Sequence, residues 1–240
     1  MTIQKGEYSH IGNRPVNEDS YRCEILSGSA VYAVLADGLG AHGGGSTASQ
    51  IAVQQMSQWN SPETLPTVEQ IADWIQSANR EILSRQTEAC QMRTTLVYLA
   101  VAGNQAVWAH VGDSRLYHFA GGELADYTLD HSVPQIQVQA GEITRDEIRF
   151  SPERNMLLRA VGAQDLRWEI HAPVPLTPGR HAFLLCSDGF WEYVSDEEIW
   201  LDLQKSATPQ EWIDYLRCRG EMRKKGSIDN NTAIAVYLNI

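Results

Sequence analysis

Six acidic residues stand out by their neighbours: the Glu18-Asp19 pair in Arg14-Pro15-Val16-Asn17-Glu18-Asp19, Asp37 in Asp37-Gly38-Leu39-Gly40-Ala41-His42, Asp113 after Gly112, Asp188 before Gly189, and Asp229 before Asn230-Asn231. The chemistry open to such a set is the capture of hard divalent cations. Mg2+ and Mn2+ take about six oxygen ligands and keep several of them as water, so a few carboxylates and a backbone carbonyl complete a site. Singly, each position has a plainer reading. An Asp-Gly pair is most often a turn, Gly112-Asp113 could be a hairpin corner, and Arg14 could be a surface ion-pair partner.

The apolar runs beside these acids say what must hold them. Residues 32–36 read as a buried strand that ends at Asp37-Gly38 and delivers the carboxylate there. The runs 182–186 and 232–238 stand in the same way beside Asp188 and Asp229. Residues 94–101 and 106–111, separated by Gly103-Asn104, predict a hairpin. A strand at 114–119 should follow Gly112-Asp113, with another near 124–127 beyond Gly121-Gly122. Gly43-Gly44-Gly45 opens a helix whose Ala48, Ile51, Ala52, Gln55, Met56 and Trp59 share one face. Further helices are expected at 67–86 behind Pro66, at 196–204, and at 209–217 with Thr208 as N-cap. Between them, 132–162 is polar and partly helical with a break at 140–144, and reads as an inserted flap. Strands interleaved with a few long helices, without βαβ alternation, give an α+β class.

Composition sets the outer bounds. A chain of 240 residues, 43% hydrophobic, can bury a substantial core, and a single domain is expected over 1–240. No apolar run approaches the roughly 18 residues that span a bilayer, and the first residues carry neither a basic leader nor an apolar core, so the expectation is no membrane insertion and a cytoplasmic location. A net charge of −11 argues against nucleic acid as partner. If the substrate is an anion, bound divalent cations would have to reverse the local field. Cys23, Cys90, Cys186 and Cys218 lack paired spacing and are expected to be reduced and buried.

Taken in order, the motifs resemble those of the type 2C, or PPM, family of metal-dependent serine/threonine protein phosphatases, in its bacterial single-domain form. The match runs from Gly12 to the C-terminus. It is carried by Arg14-Pro15-Val16-Asn17-Glu18-Asp19, Ala36-Asp37-Gly38-Leu39-Gly40-Ala41-His42, Gly112-Asp113-Ser114-Arg115, Asp130-His131-Ser132, Ser187-Asp188-Gly189 and Asp229-Asn230-Asn231-Thr232.

The resemblance implies an antiparallel β-sandwich of two sheets flanked by helices on both outer faces. It also implies hydrolysis of phosphoserine and phosphothreonine monoesters by a water bridging two Mn2+ or Mg2+ ions. By position, Asp37 would bridge both metals, the Gly38 carbonyl would help hold one, and Asp188 and Asp229 would bind the other. Glu18 and Asp19 would hold waters or complete the shell, and Arg14 would grip the phosphate. Asp113, with Asp188, would hold a third and weaker cation and so share in catalysis. Phosphorylated proteins are the implied partners, and a cognate serine/threonine kinase the implied antagonist.

Arg115 is assigned to structure, behind Asp113. Animal members of the family place a histidine after the Asp-Gly pair, where this chain has Leu39. The proton for the leaving alkoxide would then come from water or from His42. Glu192 could touch a third metal or be a solvated residue. The basic run Arg217, Arg219, Arg223, Lys224 and Lys225 could be a solvated helix end or a docking patch for an acidic phosphoprotein. Two other functions stay open on the same motifs: a hydrolase of another phosphate ester, and a catalytically silent binding module. Retention of Asp37, Asp188 and Asp229 favours the active phosphatase.

Overall fold

The computed structural model of the protein describes residues 1–40, 43–224, 226 and 228–240. Its strands are β1 (Thr2–His10), β2 (Asp19–Ser27), β3 (Ala30–Asp37), β4 (Leu96–Ala102), β5 (Gln105–Val111), β6 (Arg115–Ala120), β7 (Glu123–Tyr127), β8 (Glu169–Ile170), β9 (Val174–Pro175), β10 (Arg180–Cys186) and β11 (Asn231–Asn239). They form two antiparallel sheets, one in the order β1-β11-β10-β6-β7, the other β2-β3-β4-β5-β8 with β9 also on β5. Helices cover the outer face of each sheet, which gives the expected antiparallel sandwich between helical layers.

The central strands are apolar on both faces because both faces are covered. Along β3, Val31, Ala33 and Leu35 enter the core between the sheets, while Tyr32, Val34 and Ala36 face helices. Along β11, Ile234, Val236 and Leu238 lie between the sheets, and Ala233, Ala235 and Tyr237 meet the other helical layer. Period-2 alternation thus yields three stacked apolar layers. β1 and β2, which no apolar run announced, each pair with a single strand and keep polar residues on partly exposed faces. Edge strands carry little of the apolar signal that reveals a central one.

Helices α1 (Gly45–Met56) and α2 (Val68–Arg85) pack against β3 and β4. α2 starts at a capping box, in which the Thr67 side chain accepts from the Gln70 N–H and the Gln70 side chain accepts from the Thr67 N–H. On the other sheet lie α4 (Asp188–Trp191), α5 (Asp196–Lys205) and α6 (Pro209–Arg223), the last capped by Thr208 as expected. α6 runs six residues past its expected end at Arg217. Arg219 reaches Asp202 and Glu198 of α5, and Arg223 reaches Glu198, so tertiary ion pairs carry the helix onward. Within 132–162, α3 (Val133–Gln139) and a 3-10 helix at Arg145–Phe150 flank the break at 140–144. No helix among the described residues is long and apolar enough to cross a membrane.

One alternative is excluded and one expectation corrected. β5 and β6 do not form a hairpin: they lie in opposite sheets, and Gly112-Asp113-Ser114 carries the chain across. Gly112 makes this possible at φ 98°, where a Cβ would sit 2.8 Å from the Thr95 side chain. The cysteines, all free, are not uniformly buried. Cys23 and Cys186 are, Cys90 is half-buried, and Cys218 is exposed on α6.

Candidate metal centre and active site

The register of the sheets gathers the acids at one end of the sandwich. In the β2–β3 pair Asp19 stands directly opposite Asp37, and the Gly38 N–H donates to the Glu18 carbonyl at 3.2 Å. In the other sheet β10 ends where β11 begins, with Cys186 opposite Ala233, so Asp188 and Asp229 emerge together. Asp19 pins the sheets to each other: its Oδ2 accepts from Thr232 Oγ1 at 2.6 Å and from Ser187 Oγ at 3.0 Å. Asn230 fastens the segment that carries Arg14 and Glu18. Its Oδ1 accepts from the Glu18 N–H at 2.8 Å, and its Nδ2 donates to the Ile11 and Val16 carbonyls. Gly38 and Gly189 have to be glycine at this junction, because a Cβ would strike the Gly45 carbonyl in one case and the Asn230 carbonyl in the other.

Asp113 arrives from the crossover. The Asp37 N–H donates to Thr95 Oγ1 at 3.0 Å, and Thr95 Oγ1 shares a 2.7 Å hydrogen bond with Ser114 Oγ, which couples the end of β3 to the corner. Trp191 Nε1 donates to the Asp113 carbonyl at 3.0 Å. His131 clasps the same corner, its N–H donating to the Gly112 carbonyl and its Nδ1 accepting from the Gly112 N–H. The first residues of the 132–162 segment are therefore tied to the turn that carries Asp113.

Carboxylates in this cluster outnumber the cations near them. Burial lifts the Asp19 carboxyl to about 7, with the charges of Asp188 and Asp229 adding to it against the hydrogen bonds from Thr232 and Ser187. Asp37 keeps some solvent contact at the open end, yet it is pushed well above the usual carboxylate range, by desolvation and then by Asp19, Asp188 and Asp113. Asp113 is raised by burial and by Asp188, and Asp188 by burial and by Asp229. Asp19 Oδ1 and Asp188 Oδ1 are buried without a hydrogen-bond partner among the described residues. Buried carboxylates crowded together with orphaned oxygens are what a cation site needs, so the residues present fit divalent metal ions.

Of the expected site residues, Glu18, Asp19, Asp37, Gly38, Asp113, Asp188 and Asp229 share this end of the sandwich. Arg14 stands at its rim, its Nη2 2.6 Å from Asp229 Oδ2, in a pair too exposed to add much stability. Arg115 is structural as read, bonded through two nitrogens to Asp130. Glu192 is not the solvated residue considered above. It accepts from Arg154 Nε at 2.8 Å, and burial, then the charge of Asp188, holds its carboxyl near 7. The basic run is largely spent within the fold: Arg217 pairs with Glu221, Arg219 with Asp202, Arg223 with Glu198, and Lys224 bonds Asn231. His42 and Lys225 lie outside the described residues.

Sequence reasoning missed Arg93 and Arg154, because neither sits in an acidic motif, and it missed the clasp that His131 of Asp130-His131-Ser132 makes on Gly112, because that is a tertiary contact. It also missed a second group, His110, His131 and Glu169, whose potential ligand atoms lie within 4.8 Å of one another. This group is committed to the protein. His131 Nδ1 takes the Gly112 N–H, His110 Nε2 bonds the Leu129 carbonyl, and Arg159 Nη1 lies 3.1 Å from Glu169.

A sequence model of the family described as "Protein phosphatase 2C" matches residues 7–224. The serine/threonine phosphatase stp of Listeria innocua is 33% identical over 215 residues, covering 86% of this chain and 84% of that one. The crystal structure of the Mycobacterium tuberculosis serine/threonine phosphatase PstP/Ppp superposes with a TM-score of 0.84 at 28% identity over 100% of both chains. The catalytic domain of the serine/threonine protein phosphatase PstP in complex with two manganese ions gives a TM-score of 0.81 at 27% identity, over 98% of this chain and 97% of that one.

Proposed function

The chain belongs to the protein phosphatase 2C family, and we propose that it hydrolyses phosphoserine and phosphothreonine monoesters of proteins with two Mn2+ or Mg2+ ions as cofactors. The observation that carries this reading is the excess of buried carboxylates at one end of the sandwich, with Asp19 Oδ1 and Asp188 Oδ1 left unpartnered among the described residues. The two manganese ions of the PstP complex support it. Asp37 would touch both cations, the Gly38 carbonyl would serve one, and Asp188 and Asp229 the other. Asp19 has one oxygen held by Thr232 and Ser187, so its free oxygen, with Glu18, would complete the shell directly or through water. Once bound, the two cations supply an acidified water for in-line attack on phosphorus and neutralise charge on the phosphoryl oxygens.

The other steps belong to the chain's own side chains. Asp229, when it holds a cation, would release Arg14 from their 2.6 Å pair. The guanidinium fork is then free for two phosphoryl oxygens. Asp113 and Asp188 together would hold a third, loosely bound cation. The segment 132–162 acts as a flap over this side of the site, anchored by His131 at the corner and by Arg154 on Glu192. The substrates are phosphorylated proteins in the cytoplasm, and a serine/threonine kinase opposes the enzyme.

Turnover of a phosphothreonine peptide should require Mn2+ or Mg2+ and vanish in excess EDTA. Undiminished turnover in EDTA overturns the two-metal reading. A protein that takes up Mn2+ in calorimetry yet cleaves neither peptide nor small ester would be a silent module. One that cleaves only small esters would be a hydrolase of another class.

A further inference from the structure

The β3–β4 register extends beyond the end of β3. Leu35 faces Val97 in the ladder, Gly38 bridges Thr94 in the same register, and the Leu39 N–H donates to the Arg93 carbonyl at 2.9 Å. Arg93 therefore stands opposite Leu39, one diagonal step from Asp37. Cβ atoms so related are about 7–8 Å apart.

Alternation settles which face it shares. Met92, Leu96 and Tyr98 belong to the helix-side core. Val97 and Leu99 lie between the sheets, and Thr95 bonds Ser114 there. Arg93 falls on the side of Thr95 and Val97, which is also the side of Asp37 and Leu35.

The side chain is half-buried, and its Nε is buried with no hydrogen-bond partner among the described residues. The other guanidinium groups around the site are engaged: Arg14 with Asp229, Arg115 with Asp130, Arg154 with Glu192. A buried donor without an acceptor costs stability unless a ligand satisfies it. An acceptor that reaches a buried Nε has to come deep into the site. The phosphoryl group goes there, whereas an acidic side chain flanking the phosphoresidue stays nearer the rim.

We propose that Arg93 is a second phosphate-binding residue, gripping the substrate's phosphoryl oxygens from the β4 flank while Arg14 holds them from the Asp229 side. This rests on the phosphatase reading for its turnover arm only.

The test pairs Arg93→Gln and Arg93→Lys with the unaltered chain, all loaded with Mn2+. In calorimetry with inorganic phosphate as probe, Arg93→Gln should weaken binding about tenfold, the loss expected for one charge-assisted hydrogen-bonding group. KM should rise by a similar factor for a phosphothreonine peptide and for p-nitrophenyl phosphate, with kcat changed much less. Arg93→Lys should recover only part, because an ammonium lacks the planar fork. Mn2+ affinity and the unfolding midpoint should stay near those of the unaltered chain, which a merely structural role would not allow.

Unchanged phosphate affinity in Arg93→Gln overturns the proposal. So does a KM rise confined to peptides with acidic flanks, or a loss of phosphate affinity matched by a loss of Mn2+. If the unaltered chain turns over no substrate, the phosphatase reading fails, and the phosphate titration still decides the role of Arg93.

Discussion

Asp113 and Arg115 stand two residues apart where the chain crosses between sheets, and each buries a charge in a different company. Arg115 donates to both oxygens of Asp130 at 2.8 and 2.7 Å, lies with its guanidinium carbon 3.5 Å from the Trp191 ring centre, and reaches Tyr117. Tyr117 and Arg145 in turn bond Asp196. Charge there is balanced by the protein itself. Asp113 faces Asp188 and, beyond it, Asp37, Asp19 and Asp229, and carboxylate meets carboxylate. Asp113 and Arg115 are equally buried, so burial does not distinguish scaffold from site. The excess of carboxylates over cations does.

That contrast can be broken by deleting one acid from each region. Asp37→Ala should lower kcat at least about a thousandfold, roughly 4 kcal/mol of barrier, and weaken stabilisation by Mn2+ in thermal melts. Without metal the same variant should be as stable as the parent or more so, since a carboxylate repelled by its neighbours has gone. Asp130→Ala should do the reverse. It strands Arg115 beneath Trp191 and should cost about 3–5 kcal/mol in urea unfolding. Metal-free destabilisation by Asp37→Ala equal to that of Asp130→Ala would erase the distinction.

A finer comparison lies within the acidic region. Asp113→Asn keeps the corner's hydrogen bonding but removes a charge, so two metals should still bind while kcat on phosphopeptides falls about tenfold, roughly 1.4 kcal/mol. Full activity across a Mn2+ titration would assign Asp113 to the turn.

The smallest effect concerns a third treatment of buried ionisable groups, which is to keep them neutral. His118 Nε2 bonds His181 Nδ1 at 3.0 Å, and His118 is stacked on Phe183. Burial first, then the charges of His181 and His171, lower His118 to about 4. The folded state thus binds this proton less readily than the unfolded chain. The stability involved is intact above the unfolded value of about 6.5 and is lost as pH falls from there toward 4, about 1 kcal/mol of it by pH 5.5. His118→Gln retains a donor without titrating, and its melting temperature should fall less between pH 7 and 5.5. An equal fall would exclude His118 as the source.

The site was more legible in the sequence than the fold around it. Asp37, Asp188 and Asp229 each follow or precede an apolar run that is buried on both faces, and such runs announce themselves. β1 and β2 did not, since edge strands with one partner keep Lys5, Glu7, Arg22 and Glu24 on partly exposed faces. A hairpin corner stayed open as a reading of Gly112-Asp113 because strands adjacent in sequence usually pair, and nothing local distinguishes a turn within a sheet from a step between sheets. Arg93 escaped notice for a related reason. Its position follows from register with β3, which only tertiary pairing reveals.

The place of β11 in its sheet bears on how this protein comes into being. The strand is the last of those described, yet it lies between β1 and β10, and among the described residues it is the sole ladder partner of β1. During synthesis from the N-terminus, β1 must wait unpaired while more than 200 residues are made. Asp19 acquires its Thr232 contact, and Asp229 its position, only when that final strand docks. Such sequence-distant closure is slow compared with local folding. The end of the sandwich that gathers the acids is consequently assembled only after β11 has been made, and a chain still lacking that strand should hold divalent cations poorly.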